Sequence, residues 1–77
     1  MATEPKVVYS FQKNALEEVR ASVTTFKGKN YLDIRVYYKA DDGEFKPSRK
    51  GITLATSLID DLEEAVKKLR EALDEAG

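Results

Sequence analysis

Hydrophobic and polar residues alternate with a period of two over much of the first 54 positions of the chain. The alternation is clearest over residues 31–37, YLDIRVY, in which the second, fourth and sixth residues are aliphatic. Successive side chains of a β-strand point to opposite faces, so the pattern predicts a strand with one aliphatic face. We expect the aliphatic set to face a core and the mixed polar and aromatic set to face outward.

The same reasoning predicts four consecutive strands. Residues 7–11, VVYSF, have the β-branched and aromatic content of a strand, and residues 19–26 alternate well. Between them, residues 12–16 break the pattern and could begin a helical turn, because they include good helix formers. The third strand is the one described above, and the fourth begins near Glu44.

Two tight turns join the last three strands. Residues 27–30, KGKN, form the first, because Gly28 and Asn30 tolerate positive φ at least cost. Residues 40–43, ADDG, form the second, because Asp-Gly is a strong hairpin signal. Pro47 then interrupts the fourth strand, and since proline cannot donate to a ladder, we expect an edge strand that is bulged or bent there.

A long helix is predicted to end the chain. Thr56 or Ser57 can cap its start, and Gly77 closes it. One apolar stripe follows from spacings of three and four residues; its members are Leu58, Ile59, Leu62, Ala65, Val66, Leu69, Leu73 and Ala76. At roughly 30 Å, the helix is longer than a short sheet needs for cover. The excess length predicts that the helix pairs with a helix of a partner chain through Leu62, Val66, Leu69 and Leu73.

These elements make an α+β fold, a four-stranded antiparallel sheet followed by one helix. Residues 1–6 show no pattern and are predicted to be a short disordered lead, with residues 7–77 forming a single domain. A chain of 77 residues buries only about 60% of its unfolded surface, so its core would be marginal alone. Homodimerisation would add to that core.

The composition argues against most catalysis. The chain has no cysteine and no histidine, so thiolate metal sites and the commonest general base are missing. Asp41 and Asp42 resemble the start of a calcium loop, but the spacing does not continue, so they read as turn residues. We therefore expect no enzyme activity, no cofactor and no metal. No apolar run could cross a membrane and no signal-peptide pattern is present, which predicts a soluble intracellular protein.

Charge is strongly segregated along the chain. Residues 20–50 carry eight basic and four acidic side chains, whereas residues 51–77 carry three basic and seven acidic ones. Four aromatic residues are interleaved with the basic ones: Phe26, Tyr31, Tyr37 and Tyr38. Cations that track phosphates and rings that stack on bases are the ingredients of single-strand binding. The residues alone leave a plainer alternative open, in which Tyr31 and Tyr37 pack across strands and the lysines keep exposed edges soluble.

Residues 23–54 resemble the C-terminal domain of the positive cofactor 4 family of transcriptional coactivators. The matching pieces are FKGK at 26–29, DIR at 33–35, Tyr37, GE at 43–44, KP at 46–47 and RKGI at 49–52. The resemblance implies a curved antiparallel sheet that dimerises through the following helix and binds single-stranded or melted DNA. Carried over, the stacking residues would be Phe26 and Tyr38, and the phosphate contacts Lys27, Lys29, Arg35, Lys46, Arg49 and Lys50.

Three departures from the family pattern bear on this expectation. Tyr38 stands where a tryptophan is expected, which keeps a stacking face, and Thr24 stands where an arginine is expected, which removes a cation. Residues 11–20 are longer and more acidic than the corresponding segment, so the first loop is expected to be rebuilt.

The leading functional hypothesis is a homodimer that binds single-stranded DNA with little sequence preference in transcription regulation, with the transcription machinery as a further partner. Its location would be the cytoplasm or nucleoid of a prokaryote, or the nucleus of a eukaryote. Two alternatives remain: a structural or protein-interaction dimer module, and a protein that binds single-stranded RNA through the same sheet.

Overall fold

The computed structural model describes residues 5–76. Four strands form one sheet in chain order, each antiparallel to its neighbour. The strands are β1 (Lys6–Asn14), β2 (Glu17–Phe26), β3 (Lys29–Lys39) and β4 (Phe45–Ala55), followed by a 3-10 turn (Thr56–Leu58) and helix α1 (Ile59–Ala76). The predicted α+β architecture, a curved four-stranded sheet followed by a C-terminal helix, is confirmed. Of the predicted lead, residues 1–4 lie outside the described range, as does Gly77, and Lys6 already belongs to β1.

The predicted break at residues 12–16 is present but shorter than expected, and the helical turn offered as an alternative is wrong. β1 continues to Asn14, β2 begins at Glu17, and only Ala15 and Leu16 lie between them. The Asn14 side chain accepts a hydrogen bond from the Leu16 N–H at 2.9 Å and donates one to the Glu17 carboxylate at 2.7 Å. Such local bonds from asparagine favour a turn over a helix. Irregular pairing at residues 7–9 and 12–14 accommodates the imperfect alternation of β1.

The two predicted hairpin turns are present, with one change of residue. Lys27 and Gly28 have φ of 51° and 78°, whereas Asn30 lies within β3 and accepts a hydrogen bond from the Thr25 hydroxyl. Positive φ at both central positions is typical of a type I′ turn, whose twist matches that of the flanking strands. The second turn closes through a 2.9 Å bond from the Gly43 N–H to the Ala40 carbonyl.

Side chains divide between two faces of the sheet, which we name the aliphatic face and the polar face. Residues paired across antiparallel strands share a face. The aliphatic face comprises Val19, Ala21, Val23, Leu32, Ile34, Val36, Ile52 and Leu54. The polar face includes Arg20, Ser22, Asp33, Arg35, Tyr37 and Thr53.

The polar face, which was expected to face outward, is the better covered of the two in the single chain. Its residues Ser22, Asp33 and Tyr37 are only 4%, 7% and 7% exposed. Arginine side chains lie over this face, and their long aliphatic stems can shield surface while the charged ends stay solvated. The aliphatic face is only half-buried, and the start of α1 reaches it through Ile59 and Leu62.

The chain is extended and leaves much apolar surface uncovered. Its radius of gyration is 14.5 Å, against about 11.5 Å expected for a compact domain of this length. Its accessible surface is 6375 Å², against about 4,700 Å² expected for a compact monomer of this mass. On α1, the stripe residues Val66, Leu69 and Leu73 are exposed. In the described part of the chain, α1 is too polar to span a bilayer.

The start of the helical segment differs from the prediction in its details. Thr56 and Ser57 lie inside the 3-10 turn, and the residue at the N-cap position is Ala55, which forms no capping bond through its side chain. Asp60 and Asp61 occupy the first turn of α1, where carboxylates interact favourably with the helix dipole.

Candidate nucleic-acid interface

The tip of the β2–β3 hairpin carries an exposed ring among lysines. Phe26 and Lys29 pair directly across the hairpin, and Lys27 lies in the turn between them. The Phe26 side chain is well exposed at 55%, and the Lys27 Nζ lies 5.4 Å from the centre of its ring. The tip therefore presents one aromatic face and two ammonium groups to solvent.

A second exposed ring lies at the opposite end of the sheet. Tyr38 pairs directly with Lys46 across β3 and β4, and its exposed fraction is 43%. Both residues line a shallow depression together with Lys39 and the β3–β4 turn. The Lys46 Nζ lies 3.6 Å from a carboxylate oxygen of Asp42 in that turn.

A bulge in β4 carries the two remaining predicted cations. Pairing of β3 with β4 changes register from Tyr37 opposite Pro47 to Arg35 opposite Gly51. Residues 48–50 therefore lie opposite Val36 alone. We call residues 48–50 the β4 bulge; its residues Arg49 and Lys50 are exposed. Pro47 itself pairs with Tyr37 and does not interrupt β4; of the predicted features, the edge position and a bulge are present, and the bulge directly follows Pro47.

Arg35 is held inside a hydrogen-bond network on the polar face. Its Nε and Nη2 donate to the two carboxylate oxygens of Asp33 at 3.2 and 2.9 Å. Nη1 donates to the Ser48 carbonyl at 3.1 Å, and Nη2 also donates to the Thr53 hydroxyl at 3.2 Å. The hydrogen bonds that Arg35 donates to Asp33 raise the pKa of the guanidinium, so it stays charged.

Arg20 is a second polar-face arginine, and the sequence analysis did not single it out as a site residue. It pairs with Arg35 across β2 and β3, and like charges directly opposite each other destabilise a sheet. Glu18 forms an ion pair with Arg20, and the guanidinium carbon lies 4.3 Å from the centre of the Tyr37 ring. Tyr37 is therefore a packing residue, as in the alternative interpretation of the sequence, in which it packs across strands. The sequence signal for this ion pair was the spacing of Glu18 and Arg20, which are two positions apart and therefore lie on the same face of the strand.

The predicted residues fall into separate groups within one chain. Phe26 and Lys29 share the polar face at one end of the sheet, whereas Tyr38 and Lys46 share the aliphatic face at the other. Tyr38 lies nine positions after Lys29 on β3, which is about 30 Å at the rise of a strand. A single small pocket therefore does not contain both rings, and any ligand that contacts both must be long.

Comparison with solved structures identifies the class of fold. The chain is similar to the crystal structure of a PC4 homologue from Burkholderia pseudomallei, with 30% identity and a TM-score of 0.73 over 90% of this chain and 89% of that one. It also has the fold of the bacteriophage T5 homologue of the eukaryotic transcription coactivator PC4, which is implicated in recombination-dependent DNA replication. That match has 20% identity and a TM-score of 0.61 over 95% of this chain and 78% of that one.

The family model described as "Transcriptional Coactivator p15 (PC4)" matches residues 13–65, a range that includes all eight predicted contact residues. The chain belongs to this family, as its resemblance to the positive cofactor 4 pattern implied.

Two curated relatives carry coactivator names. The RNA polymerase II transcriptional coactivator SUB1 of Saccharomyces cerevisiae is 41% identical over 59 residues, which are 75% of this chain and 20% of that protein. A putative RNA polymerase II transcriptional coactivator of Caenorhabditis elegans is 40% identical over 50 residues, 64% of this chain and 40% of that protein. The chain therefore spans less than half the length of either relative.

Proposed function

We propose that this protein binds single-stranded or melted DNA as a homodimer, with little sequence preference, and that it acts in transcription. The observation that carries the proposal is that two exposed rings of the sheet are each paired with a lysine. Phe26 lies opposite Lys29, and Tyr38 lies opposite Lys46. Each pair offers a flat apolar surface beside a cation, which suits a base and its adjacent phosphate.

Stacking accounts for the preference for single strands. An unpaired base can lie on an aromatic ring, and such contacts are worth about 1–3 kcal/mol per base. Bases in a duplex are already stacked, so the rings gain nothing from an intact double helix. The lysines and arginines would bind either form through phosphate. We assign the stacking to Phe26 and Tyr38, and the phosphate contacts to Lys27, Lys29, Lys46, Arg49 and Lys50.

The uncovered apolar surface supports the dimer. The single chain exceeds the surface of a compact monomer by about 1,600 Å², which is ample for a stable interface. The exposed stripe of α1 and the half-buried aliphatic face are continuous with each other near Ile59 and Leu62. We place a second copy there, with Leu62, Val66, Leu69 and Leu73 in the interface.

Fluorescence anisotropy of a labelled single strand and a matched duplex, titrated across a salt series, tests the proposal. We expect the single strand to bind more tightly and log K to fall with log salt at a slope of about −3 to −5, corresponding to five to seven phosphate contacts. Equal and weak binding to the single strand and the duplex would indicate that the interaction is only nonspecific electrostatic attraction. Absence of binding at moderate salt would overturn the proposal in favour of a protein-interaction module.

The same assay separates DNA from RNA. Oligonucleotides of one sequence with deoxyribose or ribose compete for the labelled strand, and only the 2′-hydroxyl and helix form differ between them. We expect the DNA strand to compete at least as well. Stronger competition by RNA would indicate that the protein binds single-stranded RNA through the same stacking residues.

The coactivator role rests on the relatives' names and extends the binding proposal. This chain matches only part of each named coactivator, so contacts with the transcription machinery need their own test. We expect the chain to act wherever melted DNA and RNA polymerase meet, in the nucleoid or the nucleus. Stimulation of transcription in a reconstituted reaction, lost in a Phe26→Ala and Tyr38→Ala double variant, would connect binding to that role.

A further inference from the structure

We propose that Arg35 is a positioning residue that holds the β4 bulge in place, and that it makes no phosphate contact of its own. The inference rests on the proposed function and changes the role of one residue that family resemblance would place on DNA. We name the network formed by Asp33, Arg35, Ser48 and Thr53 the Arg35 bracket. Its function is to fix the backbone from which Arg49 and Lys50 project.

The donors of Arg35 are almost fully committed inside the protein. A guanidinium has five N–H groups, and four of them have acceptors here. Two go to Asp33 in the forked geometry that carboxylates favour, one goes to Thr53, and one to the Ser48 carbonyl. Thr53 in turn donates to Asp33 at 2.8 Å. One N–H of Nη1 is left over, so a phosphate could take at most a single hydrogen bond from Arg35, and the forked contact that phosphates favour would require this network to break.

Charge and burial also argue against a phosphate at Arg35. The Arg35 and Asp33 side chains are 22% and 10% exposed. Removing Arg35 from the pair would leave the Asp33 carboxylate nearly buried and without its cation, which is strongly unfavourable. While the pair is intact, the carboxylate repels a phosphate at the same place. Arg49 and Lys50, in contrast, are exposed residues.

The bracket acts on the β4 bulge through Ser48. Its carbonyl accepts from Arg35, its hydroxyl donates to the Val36 carbonyl at 2.7 Å, and the Lys50 N–H donates to that hydroxyl at 3.1 Å. Both polar ends of Ser48 are therefore tied to β3. Without these bonds, an insertion opposite a single residue would leave unpaired backbone groups and a mobile loop.

Gly51 fixes the other end of the β4 bulge. A Cβ at this position would lie 2.5 Å from the Ile34 carbonyl oxygen and 2.8 Å from the Arg35 Cα. The chain thus returns to close contact with the Arg35 backbone directly after the bulge. Arg49 and Lys50 lie between two anchors, Ser48 and Gly51, and both anchors contact Arg35.

The two roles for Arg35 predict opposite effects of Asp33→Asn on binding of a labelled oligothymidylate. If Arg35 contacted phosphate, removing the carboxylate would release it and tighten binding. If Arg35 positions the bulge, Asp33→Asn weakens the bracket and we expect a loss on the order of tenfold, comparable to that of Arg35→Gln. Arg35→Lys should also lose affinity, because lysine keeps the charge but cannot form the fork.

A double-variant comparison tests the route through the bulge. In an Arg49→Ala and Lys50→Ala background, Arg35→Gln should have no further effect on affinity, because the residues it positions are gone. Tightening by Asp33→Asn, or an additive loss by Arg35→Gln in that background, would overturn the proposal. Thr53→Val removes one acceptor of Arg35 without exposing a charge, so it provides a milder bracket variant if the others fold poorly.

A measurement without DNA separates this inference from the proposed function. Amide hydrogen exchange at Lys50 reports the bond to Ser48, and Asp33→Asn should accelerate it on the order of tenfold relative to the amides of β2. If the wild type fails to bind DNA but Asp33→Asn accelerates exchange at Lys50 as expected, the proposed function is wrong and the role of the Arg35 bracket is supported. Unchanged exchange at Lys50 would overturn the bracket whatever the binding result.

Discussion

Lys27 combines a strained backbone with a useful charge. It has φ of 51°, in the left-handed region where residues with a Cβ are disfavoured by about 1–2 kcal/mol. Its ammonium group lies beside the exposed Phe26 ring, where a phosphate following a stacked base would pass. Local strain of this kind is often retained at positions that serve binding.

Replacing Lys27 should therefore change stability and binding in opposite directions. Asparagine tolerates positive φ, so we expect Lys27→Asn to raise the free energy of unfolding by about 1 kcal/mol in urea denaturation at fixed protein concentration. The same variant should weaken single-strand binding and make the salt slope less negative by about 0.7. Lys29→Asn is the matched control, because it removes an equal charge from strand backbone. It should weaken binding without raising stability.

Asp42 limits the availability of Lys46. The carboxylate lies 3.6 Å from the Lys46 ammonium at the end of the sheet where we place a base on Tyr38. We expect Asp42→Asn to tighten single-strand binding by about threefold, in line with the modest energy of an exposed ion pair. Asparagine keeps the Oδ1 that accepts the Glu44 N–H, so the turn should persist.

Asp41→Asn serves as the control for Asp42→Asn. It removes the same charge from the same turn, one residue away from the ion pair. A gain in affinity equal to that of Asp42→Asn would show that overall charge, and not release of Lys46, causes the effect.

At the scale of the element, the β4 bulge depends on a residue with no side chain. A Cβ on Gly51 would overlap the Ile34 carbonyl oxygen, so Gly51→Ala should force β4 away from β3. We expect a loss of at least about 2 kcal/mol in the free energy of unfolding. Gly43→Ala is the control, because a Cβ there meets no atom within 4 Å and the cost is confined to its positive φ. Equal losses in the two variants would contradict the close approach.

Local patterns predicted most of the elements, and the failures have local causes too. The strict alternation of β3, the Asp-Gly turn and the stripe of α1 each depend on neighbours in the chain, and each was recovered. The connection between β1 and β2 was missed because the Asn14 side chain, not a run of turn residues, closes it. Similarly, Lys27 took the positive φ that Asn30 was expected to adopt.

The candidate site was harder to read, because its organisation depends on distant pairs. The partners that commit Arg35 include Ser48 and Thr53, which lie 13 and 18 residues away in the sequence. The face on which Tyr38 lies follows from the pairing register, which composition does not give. Sequence therefore located two of the exposed rings and the cations, but not the bonds that tie Arg35 to Ser48 and Thr53.

At the scale of the whole molecule, the exposed stripe of α1 is the clearest target for testing the dimer. Leu69→Glu places a charge where we expect apolar packing between copies. We predict a shift from dimer to monomer in light scattering, together with a large loss of thermal stability, because a single chain leaves its aliphatic face only half-buried.

Lys68→Glu provides the control on the opposite, polar side of α1. It introduces the same acidic residue and disturbs only an exposed ion pair with Glu71. It should leave the oligomeric state unchanged. Dissociation by Lys68→Glu, or a monomeric wild type, would contradict the proposed interface.

Both outer strands of the sheet are irregular, which affects how these molecules coexist at high concentration. β1 is interrupted at two places, and β4 combines its bulge with Pro47, a residue that has no N–H to donate. Extension of a sheet by a foreign strand requires a straight run of free backbone groups, so neither edge is a good template for fibre growth. We therefore expect copies of this protein to associate through the aliphatic face and α1, and not by extension of the sheet at either edge.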